Sequence, residues 1–230
     1  MKLKELFKDK KNLLIIALIF IIAALTTIIV LVKINDQEQE RINLFDITAR
    51  KNDNFVFLGD SIFEYYQLDA FFGDLPVINS GISGNTTTDI LSELKERVFI
   101  YNPTKVFLLI GTNDIQSEYT DEDILSNIEE IIFLINEHRP YAKIYLLSIL
   151  PINDTDEIEE EMTGRRDNDH IRSLNEKIKE LCDEECTFID LFDDFTDESG
   201  NLVSGYTTDG LHLSTLGYIR MTRNLFRYFH

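Results

Sequence analysis

Apolar positions follow three rhythms along this chain, and each predicts a different kind of element. The first is unbroken. Leu13 to Val32 is a run of 20 residues without a charge, in which only Thr26 and Thr27 are polar. A helix of that length rises about 30 Å, the hydrocarbon thickness of a bilayer, so the run predicts one transmembrane helix over 13–32. It exceeds the ~7–15 apolar residues of a cleaved signal peptide, and Ile28–Ile34 has no small-x-small cleavage pattern. The alternative of a buried core helix is disfavoured by unbroken hydrophobicity on all sides at the extreme N-terminus.

The second rhythm consists of short continuous apolar runs: Phe55–Leu58, Pro76–Asn79, Lys105–Ile110, Lys143–Ile149 and Thr187–Asp190. Such runs, closed by turn residues, predict buried strands. The third is helical. Ile90, Leu91, Leu94 and Val98 keep i, i+3, i+4 spacing, as do Leu125, Ile128, Ile131, Ile132 and Ile135, and again Ile171, Leu174, Ile178 and Leu181. Asp121, Glu122 and Asp123 precede the second set, where acids complement a helix N-terminus. A last helix is predicted from Ser214 or Thr215 to near Phe229. Apolar strands alternating with amphipathic helices imply an α/β domain whose parallel sheet of about five strands is covered on both faces. The chain thus divides into a tail over 1–12, the spanning helix over 13–32, a polar stalk over 33–53 and a domain over 54–230.

Charge sharpens this division. The whole chain carries 22 Lys+Arg against 41 Asp+Glu, a net of −19. Residues 1–33 hold six lysines and two acids, a net of +4, which leaves 16 basic and 39 acidic residues, a net of −23, for 34–230. Lys2, Lys4, Lys8, Lys10 and Lys11 precede the apolar run. Positive charge stays on the cytoplasmic side, so a single-pass cell-membrane protein is expected, with its N-terminus in the cytoplasm and its domain outside. So acidic a body excludes nucleic acid as a partner, because phosphate contacts need clustered Lys and Arg.

Ligands in a parallel α/β sheet sit beyond the carboxyl ends of the strands, and polar, glycine-bearing clusters follow the predicted strands there. These are Gly59-Asp60-Ser61, the stretch from Ser80 to Thr87 containing Gly84, and Gly111-Thr112-Asn113-Asp114; Asp209-Gly210-Leu211-His212 lies near the end. Together they can perform acyl transfer. Ser61 is the candidate nucleophile, His212 its base, and Asp209 the group that fixes the imidazole tautomer. The backbone N–H groups of Ser61 and Gly84 and the Asn113 amide are candidate oxyanion donors. Taken singly, each cluster also has an ordinary reading: a turn at Gly59–Ser61, a helix cap at Asn113-Asp114, and a turn dipeptide at Asp209-Gly210.

In this order, the blocks resemble the SGNH hydrolases, or GDSL esterases and lipases. The resemblance runs over about 54–228 and includes the Ile171–Asn175 helix and Leu213-Ser214. It implies a flavodoxin-like three-layer α/β/α sandwich and hydrolysis of carboxylic esters without metal or cofactor. It also implies Ser61 as nucleophile and oxyanion donor, Gly84 and Asn113 as further donors, and His212 as the base oriented by Asp209. Asn85 departs from the Asp common after the block-two glycine, and Ile62–Tyr66 differs from the commonest form, which bears on the pocket wall. The expected partner is an ester: a lipid, a small acyl ester or an acylated glycan. Transfer of an acyl group to envelope polysaccharide would use the same residues, and a non-catalytic envelope-binding domain is the rival from another class. The residues do not give the oligomeric state.

Other polar features receive structural readings. His138 suits a helix C-terminus, and His170 and His230 lack metal-like partners. The acids from Asp193 to Glu198 lack the alternation of a calcium loop and read as an acidic turn. Asn85 and Asn153 begin glycosylation sequons, although a sugar on Asn85 would obstruct the site. Cys182 and Cys186 are either a disulfide or two buried thiols. Residues 152–166, with six acids, read as a solvated loop beside the site.

Overall fold

The computed structural model describes residues 54–155 and 160–229, together with Leu25, Thr26 and Lys33. Apart from those three positions, the expected tail, membrane helix and stalk lie outside the described residues. Among the described residues, no helix is long and apolar enough to cross a membrane. The chain divides into two compact units, Met1–Thr48 and Ala49–His230, and every strand among the described residues lies in the second.

The sheet comprises β1 (Phe55–Gly59), β2 (Val77–Gly81), β3 (Lys105–Leu109), β4 (Lys143–Leu147) and β5 (Thr187–Ile189). All are parallel, in the order β2-β1-β3-β4-β5. This is the doubly wound order of flavodoxin-like folds, with its switch point between β1 and β3. Each apolar run predicted as a strand forms one. Their bounds shift slightly, and β2 runs on to Gly81 because Ser80 and Gly81 still pair with Leu58 and Gly59.

Alternation of side chains along the strands divides the core in two. Val56, Leu58, Val106, Leu108, Ile144 and Leu146 point to one face. There they meet α3 (Thr87–Arg97), α5 (Asp121–His138) and α7 (Asn168–Glu180) through Ile90, Ile128, Ile135, Ile171 and Leu174. The alternate positions Phe55, Phe57, Phe107, Leu109, Tyr145 and Leu147 face the other way. They pack on α1 (Ser61–Glu64), α2 (Leu68–Phe72), α8 (Phe192–Phe195) and α9 (Thr215–Leu225). That second face is largely aromatic: the Phe107 ring stacks 4.8 Å from Phe57, 4.9 Å from Tyr145 and 5.2 Å from Phe229. Helices therefore cover both faces in three layers.

Capping explains where the long helices begin. Thr86 with Asp89, and Thr120 with Asp123, form reciprocal capping boxes at α3 and α5. Asp167 caps α7 and Ser214 caps α9. The last helix is shorter than predicted, since α9 ends at Leu225 and a 3₁₀ turn (Phe226–Tyr228) follows. The short helices α1, α2, α4 (Thr112–Gln116), α6 (Glu160–Thr163) and α8 were not predicted. Each has only four or five residues, too few to display a 3.6-residue period.

Candidate active site

Ser61 is the first residue of α1, directly beyond the end of β1. The turn depends on Gly59, where a Cβ would lie 2.3 Å from the Leu109 carbonyl oxygen of the neighbouring strand. Asp60 caps the helix, its Oδ1 accepting from the Ile62 N–H at 2.9 Å. At the first helical position the Ser61 N–H has no intrahelical acceptor, so it remains available. The Tyr218 hydroxyl donates to the Ile62 carbonyl at 2.8 Å and ties the turn to α9.

His212 lies in the loop before α9, and its Nε2 is 3.0 Å from Ser61 Oγ. Its Nδ1 is 2.7 Å from Asp209 Oδ2. The other Asp209 oxygen accepts from the backbone N–H groups of Leu211 (3.0 Å) and His212 (2.8 Å). Burial alone would raise the Asp209 pKa. The hydrogen bonds from the His212 ring and from these two amides outweigh it and hold the carboxyl below its usual range. Asp209 is thus both a turn residue and the partner of the imidazole, so the two sequence readings of this position meet in one side chain.

Gly84 follows β2 with φ +79°, a left-handed conformation that disfavours other residues, and a Cβ there would meet nothing within 4 Å. Glu64 holds this loop by accepting from the Ser83 N–H at 2.7 Å and from its hydroxyl. Asn113 follows β3 in α4, across the switch point from Ser61. It does not cap that helix; Gly111 occupies the cap position. Its Nδ2 donates to the Asn85 carbonyl at 3.0 Å, and its Oδ1 accepts from Arg166 Nη2 at 3.0 Å. Each residue singled out from the sequence therefore stands at the carboxyl end of the sheet or in the loop before α9. Ser61, His212 and Asp209 are joined by hydrogen bonds, and Gly84 and Asn113 are linked through Asn85.

This arrangement can withdraw a proton from a serine hydroxyl and receive negative charge beside it, which is the chemistry of acyl transfer. The profile of the GDSL-like lipase/acylhydrolase family matches residues 57–220. The chain belongs to this family. The sequence-based expectation of a carboxylic ester hydrolase is met at that level. A structure from Streptococcus pneumoniae, solved under the provisional label of a platelet activating factor, is similar to this acylhydrolase. It is 37% identical with a TM-score of 0.75, covering 84% of this chain and 94% of the other. A GDSL-like lipase from Bacteroides thetaiotaomicron VPI-5482 is 26% identical with a TM-score of 0.68, over 78% of this chain and 88% of the other. Among curated relatives, platelet-activating factor acetylhydrolase IB subunit alpha1 of Bos taurus is 28% identical, over 76% of this chain and 74% of its own length. The N-acylneuraminate cytidylyltransferase of Escherichia coli O18:K1:H7 is 32% identical over 81% of this chain, which spans only 41% of that protein.

Sequence reasoning missed the scaffold behind this GDSL-like site. Arg97 is buried and bonds the Gly59 carbonyl (2.7 Å), the Ser80 carbonyl and Asn85 Oδ1 (2.5 Å), joining the loops after β1 and β2. Buried Asp114 accepts from the Thr87 N–H and hydroxyl, pinning the start of α3 behind Gly84. The capping spacing at Thr86 could have been read, whereas buried Arg97 and Asp114 left no local signal. The stretch 152–166 needs correction. Ile152, Asn153, Thr163 and Arg166 are buried, so its ends are built into the fold rather than forming a solvated loop throughout. The remaining features have structural partners. The His138 ring stacks on Phe99, His170 pairs with Asp121, and Asp193 and Asp194 pair with Arg172 and Arg220. Cys182 and Cys186 form a disulfide. Among the described residues no group of three His, Cys, Asp or Glu side chains is placed to hold a metal.

Asp60 carries a stability prediction. It is fully buried, and burial pushes its pKa from 3.8 to about 6 despite the Ile62 N–H and the nearby charges of Arg166 and His212. Its Oδ2 has no hydrogen-bond partner among the described residues. Between pH 3.8 and about 6 the folded chain retains a proton that the unfolded chain has lost. Stability on this account falls as pH rises through that window and stays lower above it. At 1.36 kcal/mol per pKa unit the cost approaches about 3 kcal/mol. Asp60→Asn keeps the acceptor for Ile62 and removes the charge. Urea unfolding of the full chain should show the variant more stable than wild type at pH 8, with the gain vanishing toward pH 4. A destabilised variant at pH 8 would mean that the surrounding cations, rather than burial, dominate at this position.

Proposed function

We propose that this chain is a membrane-anchored serine ester hydrolase that removes small acyl groups, acetyl above all, outside the cytoplasmic membrane. The observation that carries the reading is the continuous hydrogen-bond path from Asp209 through His212 to Ser61, 2.7 Å and 3.0 Å in its two steps. Ser61 Oγ attacks the ester carbonyl while His212 Nε2 takes its proton. Asp209 keeps the other ring proton on Nδ1 and stabilises the imidazolium. The oxyanion is received by the N–H groups of Ser61 and Gly84 and by Asn113 Nδ2. Collapse expels the alcohol, protonated by His212, and leaves an acyl-Ser61 ester. Water, deprotonated by the same imidazole, then releases the acid and restores the serine.

A short acyl group is supported by the relative named for acetylhydrolase activity. The exposed Tyr65 ring, centred 5.1 Å from the His212 ring, offers a surface for the alcohol portion. Anchoring rests on the uncharged run Leu13–Val32 and the lysines before it. A disulfide between Cys182 and Cys186 agrees with an oxidising location.

The test is hydrolysis of p-nitrophenyl esters of increasing chain length by the full chain in washed membranes. The acetate should be cleaved fastest, with kcat/KM falling steadily as the acyl chain lengthens. Equal inertness of wild type and Ser61→Ala toward every ester would defeat the reading. Product analysis with an acceptor polysaccharide distinguishes hydrolysis from transfer, and free acid is the expected product.

A further inference from the structure

The catalytic roles proposed above leave Arg166 unused, although among the described residues its side chain is the only group that bonds Asn113 Oδ1, the side-chain amide oxygen. Arg166 lies 53 residues from Asn113 in sequence, between α6 and α7, and is 7% exposed. Its Nη2 donates to Asn113 Oδ1 at 3.0 Å. Nε donates to the Thr112 carbonyl at 3.0 Å and to the Thr112 hydroxyl at 2.8 Å. Nη1 reaches the Met162 and Thr163 carbonyls at 3.2 Å and 3.1 Å and Gln116 Oε1 at 3.4 Å. Three edges of a rigid, planar fork are thereby fixed, and the fork in turn fixes one amide.

The consequence for Asn113 is stereochemical. A carboxamide has one acceptor oxygen and one donor nitrogen, and a guanidinium donates only. With Arg166 on the oxygen side, the NH₂ must face the other way, toward Asn85. One of its hydrogens goes to the Asn85 carbonyl at 3.0 Å, and the second is left for the oxyanion. Without Arg166, the amide can rotate by half a turn and present its oxygen, an acceptor, where negative charge develops. Nor is the guanidinium neutralised by contact: among the described residues every hydrogen-bond partner of Arg166 is an uncharged oxygen. A buried cation held by neutral groups is costly to a fold, and its field adds to the polarity of the Asn113 amide.

We propose that Arg166 is a positioning residue for ester cleavage, acting through Asn113 to keep the amide N–H aimed at the oxyanion. The proposal rests on the functional reading above, in which Asn113 is an oxyanion donor. It is tested by a double-mutant cycle on the full chain with p-nitrophenyl acetate. Asn113→Ala should lower kcat by about 10²–10³-fold, as loss of one oxyanion donor does. Arg166→Met should lower kcat about 10–100-fold with KM changed less than about threefold, the scale of losing orientation at a reacting centre. Arg166→Lys retains the charge but not the fork and should also fall in kcat; it replaces Met in the cycle if the Met variant does not fold. In the Asn113→Ala background either Arg166 change should cost little more, because the group it orients has gone. An equal fold-loss in both backgrounds, or an unchanged kcat in the Arg166 variants, would overturn the proposal while leaving the serine mechanism intact. An unchanged kcat in Asn113→Ala would instead remove the oxyanion assignment on which it rests.

Discussion

Ser61→Ala is expected to reduce kcat on p-nitrophenyl acetate by about 10⁶-fold, with KM little changed. The size follows from removing the atom that forms the covalent bond, since loss of a serine nucleophile elsewhere costs about 2 × 10⁶. What survives is the contribution of binding and of the oxyanion donors, about 10³–10⁴ over water. Folding should be unaffected. Among the described residues the Ser61 hydroxyl makes one side-chain hydrogen bond, to His212, and the helix start is held by Asp60 instead. Steady-state kinetics beside a thermal melt separates the two effects. A loss of less than about tenfold would assign nucleophilic attack to a group other than Ser61.

Asp209→Asn is expected to cost about 10⁴-fold in kcat, and its reason is a tautomer rather than a lost contact. Asp209 Oδ1 accepts from two backbone amides, Leu211 and His212, so an asparagine oxygen can keep both bonds. Its NH₂ would then face His212 Nδ1 in place of Oδ2. An amide donor there makes Nδ1 the acceptor and moves the ring proton to Nε2, facing Ser61 Oγ. An Nε2 already protonated cannot take the serine proton. Asp209→Ala is a poorer probe, because it also removes the acceptor for both backbone amides. With asparagine the Tm should stay within a few degrees of wild type while kcat collapses. If Asp209→Asn retains more than about a tenth of wild-type kcat, His212 is not held in one tautomer by this carboxylate.

The strands were legible because a strand buried on both faces must be apolar throughout, and Phe55–Leu58 or Lys105–Ile110 has few other uses. The polar clusters were legible for a related reason. Beyond a buried strand the chain turns at the sheet's edge, so Gly59-Asp60-Ser61 and Gly111–Asp114 could be placed at one end before any coordinates. The supporting groups were not legible. Arg166 sits at the end of a run with six acids and reads as a surface residue. Its meaning comes from an amide 53 residues away and from burial, neither of which leaves a local pattern. Arg97 was hidden similarly: at the end of an amphipathic helix it looks like a charge complementing the dipole, yet it is buried and bonds Gly59, Ser80 and Asn85. Asp60 was legible as a turn residue but not as a buried acid, because its burial depends on how α1 packs beneath the loops. Tertiary contact decides these positions.

The central claim is that Ser61 becomes covalently acylated, and active-site labelling tests it most directly. The full chain, treated with a fluorophosphonate that mimics the tetrahedral intermediate, should lose activity as one adduct forms. Peptide mass spectrometry should place that adduct on Ser61, and His212→Ala should slow its formation severely. An adduct on another residue, or full activity after stoichiometric labelling of Ser61, would contradict the account.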